Sequence, residues 1–277
     1  MGYRRSTGPP IGGLSWEHRL NTPDSSPVST RADGALWIVT LSRPEARNAI
    51  NLAVAHGLAQ AMAELDRRPD LRVGILTGAG GHFCAGMDLK AFAAGERPWL
   101  PGGGFAGLVE RPPRKPLIGA VEGYALAGGL EIALSCDLLV AARGASFGIP
   151  EVRRGLAAAA GGLMRLPARI PRALAMELAL TGRMMAAEEA WRAGLLNRLV
   201  DDGGALAAAR ELALEIASNA PLAVAASKQV VWQSRAWSDE EMFARQQPLV
   251  EPVTSSADAL EGARAFAEKR APVWQGR

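Results

Sequence analysis

Cysteine and histidine are scarce in this chain, with two cysteines and three histidines among 277 residues. Cys84 and Cys136 lie far apart with no CxxC pair, which argues against a disulfide framework or a cysteine-based zinc site and fits a reducing compartment. His18, His56 and His82 lack i, i+4 pairing, so no metal site is indicated. No apolar run reaches the roughly 18 residues of a membrane span, because Glu131 and Asp137 interrupt the best candidate. The formal net charge is only +3, and it is scattered, so no nucleic-acid partner is expected. Only Arg111, Arg114 and Lys115 cluster, a group that suits a phosphorylated small molecule as well as solvent. Residues 1–30 carry arginine and proline without an apolar core segment, which does not match a secretory signal. They are expected to form a disordered extension, and the compartment expected is the cytoplasm.

What is present is apolar and periodic. Hydrophobic residues make up 48% of the chain, enough for a sizeable core. The sequence predicts ordered structure from about Gly34, with "GALWIVTLS" as a strand and "RPEARN" as a turn. From Asn51 the residues Leu52, Ala55, Leu58, Met62 and Leu65 recur three or four apart, as one helix face requires, until Pro69. "LRVGILTG" (71–78), "PLIGAVEG" (116–123) and "DLLVAAR" (137–143) read as further strands, with a helical run from Gly128 between the last two. Strands alternating with helices predict an α/β fold with a mostly parallel sheet. The glycine- and proline-rich loop 93–107 is long enough to be mobile or functional. After residue 202 the strand signal stops. Three helical patterns in 203–277 predict a helical C-terminal region that contacts other subunits.

Two tempting motifs fail. "GASFG" (144–148) matches a nucleophile elbow, but all three histidines precede Ser146, against the chain order such a triad needs. "GAGGHF" (78–83) follows a strand yet lacks the third glycine of a dinucleotide fingerprint, and no P-loop lysine follows.

Four blocks hold together: "RPEARNAIN" (43–51), "ILTGAGGHFCAGMDL" (75–89), "GYALAGGLEIALSCD" (123–137) and "FGIPEVRRGL" (147–156). In this order and spacing, across roughly residues 34–270, they resemble the crotonase, or enoyl-CoA hydratase/isomerase, superfamily. The resemblance implies a ClpP/crotonase-like spiral of ββα units over residues 31–202. It further implies that the 203–277 region assembles homotrimers or dimers of trimers.

The same resemblance implies a thioester carbonyl held by two backbone N–H groups, matched here by Ala85 and Gly128. Fixed donors stabilise the charge that develops on an enolate oxygen, and small residues allow a ligand to approach the backbone. Two catalytic glutamates of the family match Glu131 and Glu151. Singly, each has an ordinary structural role open to it, as a first-turn helix charge or a solvated loop acid. Together with the donor blocks they predict hydration of a trans-2-enoyl-CoA, one carboxylate deprotonating water and the other supplying a proton. Ala85, Gly86, Met87, Asp88 and Gly128 are expected along the CoA ester, with Asp88 alternatively capping the helix from Leu89. Lys269 and Arg270 resemble C-terminal basic residues that approach CoA phosphates, sometimes on an adjacent subunit, or alternatively serve a helix end. The acyl-CoA is the implied substrate, with no cofactor beyond its own coenzyme A and no metal.

Ala158 and Leu163 stand where many hydratases carry proline and threonine, which leaves the acyl pocket's shape open. Trp99 and Phe105 are available as an apolar lid. The roles of Arg153 and Arg154 stay open between lowering the Glu151 pKa and facing solvent. A double-bond isomerase, another acyl-CoA dehydratase and a non-catalytic acyl-CoA-binding protein remain alternatives.

Overall fold

Alternation along one strand sets the architecture. Leu36 and Ile38 join one hydrophobic cluster, while Trp37, Val39 and Leu41 join the other, as the two-residue period of a strand requires. In the computed structural model, which describes residues 26–277, this segment is strand β2 (Leu36–Leu41), and β1 (Val28–Asp33) pairs antiparallel to it at the sheet edge. Strands β3 (Val73–Gly78), β6 (Leu117–Val121), β8 (Leu138–Ala142) and β11 (Arg198–Val200) add in parallel, giving the order β1-β2-β3-β6-β8-β11. A second sheet joins β7 (Tyr124–Leu126), β9 (Ser146–Gly148) and β10 (Met185–Ala186) in the order β10-β9-β7. A hairpin of β4 (Trp99–Leu100) and β5 (Gly104–Phe105) stands apart.

Helix α1 (Leu52–Arg67) follows the sequence pattern closely. The Asn51 side chain accepts from the Val54 N–H at 3.0 Å as its N-cap, and Val54, Leu58, Met62 and Leu65 face the main core. The helix ends two residues before Pro69, which cannot continue the hydrogen-bond ladder. Short helices α2 (Leu89–Ala93), α3 (Gly128–Ala133), α4 (Gly162–Arg165), α5 (Arg172–Thr181) and α6 (Ala187–Arg192) connect the strands around the large cluster.

Helix α7 (Ala205–Ala217) covers the opposite face of the sheet. Ala205, Ala209 and Ala213, four apart, are fully buried against Leu36, Ile38, Ile75 and Ile118. The expectation of a helical appendage from residue 203 is thereby corrected, because this first helix completes the core. Helices α8 (Pro221–Gln233), α9 (Met242–Thr254) and α10 (Ala257–Glu268) form the C-terminal region proper. Helix α9 is absent from the sequence reading, since Pro248 and Pro252 lie inside it and break the usual helix signature. The N-terminal boundary also moves: β1 begins at Val28, ahead of the start expected near Gly34, so residues 28–30 are strand. The remainder of the expected 1–30 extension, up to residue 25, lies outside the described residues.

Candidate active site

The Arg43–Asn51 segment clamps the chain that leaves β3. Arg47 and Asn48 both take left-handed backbone, at φ 49 and 58. The Asn48 side chain accepts from the Arg43 N–H at 2.9 Å and donates to the Ala79 and His82 carbonyls at 2.9 and 2.6 Å. The Arg47 carbonyl accepts from the Ala85 N–H at 3.0 Å, and Ile50 N–H donates to the Gly86 carbonyl at 2.8 Å. Asp88 N–H then donates to the Ile50 carbonyl at 2.9 Å. These bonds fix residues 85–88 and leave the Met87 N–H with no acceptor among the described residues.

A second such N–H belongs to Gly128, the first residue of α3, where helix geometry supplies no partner. The two donors lie close together. A methyl built on Gly128 would stand 3.6 Å from the Met87 nitrogen, and one on Gly86 would stand 3.3 Å from the Gly128 nitrogen. Gly86 sits at φ +102, a conformation that favours glycine. Ala127, just before Gly128, is held at φ 51 and ψ −128, while its N–H donates to the Gly148 carbonyl at 2.8 Å. The assignment of Ala85 as a donor is corrected here, because the Arg47 carbonyl already occupies its N–H. Met87 takes that place beside Gly128.

Both predicted glutamates reach the same cavity, of about 660 Å³, together with Met87 and Gly128. Glu131 is buried in the first turn of α3, and its Oε1 accepts from the Gly162 N–H at 2.9 Å. Burial, with the nearby Glu151 charge adding to it, raises its pKa to about 7 against the hydrogen bond from Gly162. Glu151 sits in a 3-10 turn entered by Pro150, and its Oε2 is buried with no hydrogen-bond partner. Burial raises its pKa as well, opposed in part by Arg154. Two carboxylates whose pKa values burial raises thus share a cavity with two unoccupied N–H donors. Such a site can polarise a carbonyl while moving a proton onto or off carbon.

Most of the remaining lining is apolar, apart from Arg47, Tyr124, Arg153 and Arg154. Trp99 and Phe105 from the β4–β5 hairpin meet edge to face, ring centroids 5.0 Å apart, and both line the cavity. Phe105 is buried directly over Gly128. Arg153 donates from Nε to the Thr181 carbonyl at 3.1 Å, while Arg154 is the guanidinium that acts on Glu151.

Other expected binding residues have structural work. Asp88 caps α2 by accepting from Lys90 and Ala91 N–H, and pairs with Arg43 Nη2 at 2.9 Å. Its carboxylate therefore makes the helix cap that the sequence offered as the alternative. Lys269 ends α10 in left-handed backbone and does not line the cavity of its own chain. Nor do Arg111, Arg114 and Lys115; Arg114 and Lys115 backbone N–H groups donate to Asp66, and Lys115 Nζ donates to the Leu65 and Arg68 carbonyls. Ser146 of "GASFG" is a β9 residue in the sheet rather than an elbow nucleophile. Cys84 and Cys136 are buried, and burial pushes both thiols up to about 12. Among the described residues, no group of three or more His, Cys, Asp or Glu is arranged to hold a metal, and no helix is long and apolar enough to cross a membrane.

The profile of the enoyl-CoA hydratase/isomerase family matches residues 31–277. The chain belongs to this family and has the crotonase fold. An enoyl-CoA hydratase from Mycobacterium marinum is 56% identical and superposes with a TM-score of 0.90, covering 91% of this chain and all of that one. A carnitinyl-CoA dehydratase of Proteus mirabilis is 45% identical over 252 residues, 88% of this chain and 96% of that protein. A carnitinyl-CoA hydratase structure from Mycobacterium avium is 44% identical, with a TM-score of 0.73, over 91% of this chain and 99% of that one. These relatives make the chain a crotonase-family acyl-CoA enzyme of the hydratase and dehydratase kind.

Proposed function

We propose that the protein catalyses reversible syn addition of water to a trans-2-enoyl-CoA, giving a 3-hydroxyacyl-CoA. The observation that carries this reading is the pair of buried carboxylates, Glu131 and Glu151, on one cavity with the free Met87 and Gly128 N–H groups. The thioester oxygen accepts from those two N–H groups. As the enolate forms, charge grows on that oxygen, and each fixed donor is worth about 3 kcal/mol. One carboxylate takes a proton from water as its oxygen attacks the β-carbon, and the other gives a proton to the α-carbon. Retaining both acids favours hydration over isomerisation, since moving a proton between two carbons needs only one base.

A second reading, dehydration of a 3-hydroxyacyl-CoA by the same groups in reverse, is favoured by the relatives named carnitinyl-CoA dehydratase. Coenzyme A enters as part of the substrate, and no separate cofactor is invoked. Assembly into trimers or dimers of trimers in the cytoplasm accompanies this reading. Phe243, Leu260 and Phe266 are exposed on α9 and α10, where a second subunit would cover them.

The test follows loss of conjugated-enone absorbance across a series of trans-2-enoyl-CoA esters. Glu131→Gln and Glu151→Gln should each lower turnover by about 10²- to 10⁴-fold, with binding of a saturated acyl-CoA retained. Unchanged turnover in both variants would remove the two-carboxylate mechanism.

A further inference from the structure

Behind the catalytic cavity lies a second one, of about 390 Å³. The two share Ala159 and Ala160 as lining, so they meet across side chains of a single carbon. This partition stands beside the catalytic centre, because Ala159 and Ala160 line the same cavity as Glu131. An acyl group longer than the first cavity therefore has a route into the second past the exposed Ala159.

The chemistry of the second cavity differs from that of the first. Val109, Met164 and Trp232 give it apolar sides. Arg165 and Arg235 supply two positive charges, against the single carboxylate of Glu110. The Arg165 guanidinium lies over the Trp232 ring, 5.4 Å from its centroid, and donates to Ser135 Oγ at 2.8 Å and the Val109 carbonyl at 2.6 Å. It makes no ion pair, and Arg169 and Arg235 make none either among the described residues. Arg169 adjoins the same Trp232 from the other side, where its Nη2 donates to the Cys136 carbonyl. Burial, followed by the charges of Arg169 and Arg235, lowers the Arg165 pKa from its ordinary value. Three guanidiniums thus gather around one tryptophan, whose Nε1 donates to the Asp137 carboxylate; that carboxylate is itself paired with Lys228 at 2.7 Å.

We propose that this second cavity is an acyl-tail site for long acyl-CoA esters whose far end carries a carboxylate, which Arg235 binds with Arg165 behind it. The apolar sides hold the methylene chain, and the guanidiniums offer charge-assisted hydrogen bonds to a terminal carboxylate. A trimethylammonium end, such as a carnitinyl group presents, meets the same positive field and is disfavoured. The proposal rests on the acyl-CoA reading above but not on turnover.

Calorimetry tests it with three saturated acyl-CoA esters of matched length, ending in a methyl, a carboxylate or a trimethylammonium group. The carboxylate-ended ester should bind about tenfold more tightly than the methyl-ended one and the trimethylammonium-ended ester more weakly than both. Arg235→Gln should abolish the carboxylate preference, and Arg235→Glu should reverse it. Equal affinities for all three esters, or a preference untouched by both Arg235 variants, would overturn the tail site while leaving the acyl-CoA reading intact. Failure of every ester to bind would instead count against the acyl-CoA reading itself.

Discussion

Glu131 and Gly162 are joined by a 2.9 Å hydrogen bond from the Gly162 N–H to Oε1. That bond orients a carboxylate whose pKa lies at about 7 because of burial and the nearby Glu151 charge. The pH profile of kcat/KM for enoyl-CoA hydration should therefore bend near pH 7. The bend reports the Glu131–Glu151 pair jointly, as coupled acids titrate together. In Glu131→Gln the residual rate should lose this bend; a break that persists at the same pH would assign it to another group.

The same raised pKa affects stability. The folded state holds the Glu131 proton more tightly than the unfolded chain, so its contribution is complete below about pH 4.5 and is lost as pH rises through about 7. Glu131→Gln keeps an acceptor for Gly162 without the charge. Its stability should match the wild type near pH 5 and exceed it by roughly 2 to 3 kcal/mol near pH 8. Urea unfolding at the two pH values measures this difference, and equal stabilities at pH 8 would contradict it.

Gly128 has no room for a side chain. A methyl there would lie 2.6 Å from Cε1 and Cζ of Phe105, so Gly128→Ala must displace either the ring or the donor N–H. Turnover should fall about 10²-fold or more. Phe105→Leu, by removing the ring, should restore part of the loss in the double variant. A double variant no better than Gly128→Ala would place the damage in the backbone itself.

Asp88 supports the site without gripping the ligand. Asp88→Ala removes the cap of α2 and strands Arg43, and should cost about 1 to 2 kcal/mol of stability. Affinity for free coenzyme A should change less than twofold by calorimetry. A large loss of affinity with unchanged unfolding would return the carboxylate to the ligand.

Much of this arrangement is legible in the sequence, where it depends on residue type and period. The α1 face and the strands at 73–78 and 117–121 follow from patterns that local chemistry imposes, whereas the two glutamates come from the resemblance of their blocks to the family. The misassigned donor shows the limit. Ala85 and Met87 are both small-loop neighbours of Gly86, and which N–H is free depends on the φ of +102 at Gly86 and on where the Arg47 carbonyl points. Neither is a property of composition. Lys269 stands at a helix end, the alternative the sequence offered, and a basic residue near such an end has no further address until the helices are placed. Helix α9 was hidden by its own prolines, and α7 passed for an outlying helix because alanine spacing does not say which sheet it will cover.

The position of α7 bears on how the protein is made. The sheet face formed by Leu36, Ile38, Ile75 and Ile118 is sealed by Ala205, Ala209 and Ala213, residues made only after every strand residue they cover. Until then the growing chain carries an open aliphatic face, the kind of surface that sticks to other nascent chains. Completion of the native core thus waits for α7, and a chain cut short before Ala205 is a substrate for chaperones and proteases rather than a smaller enzyme.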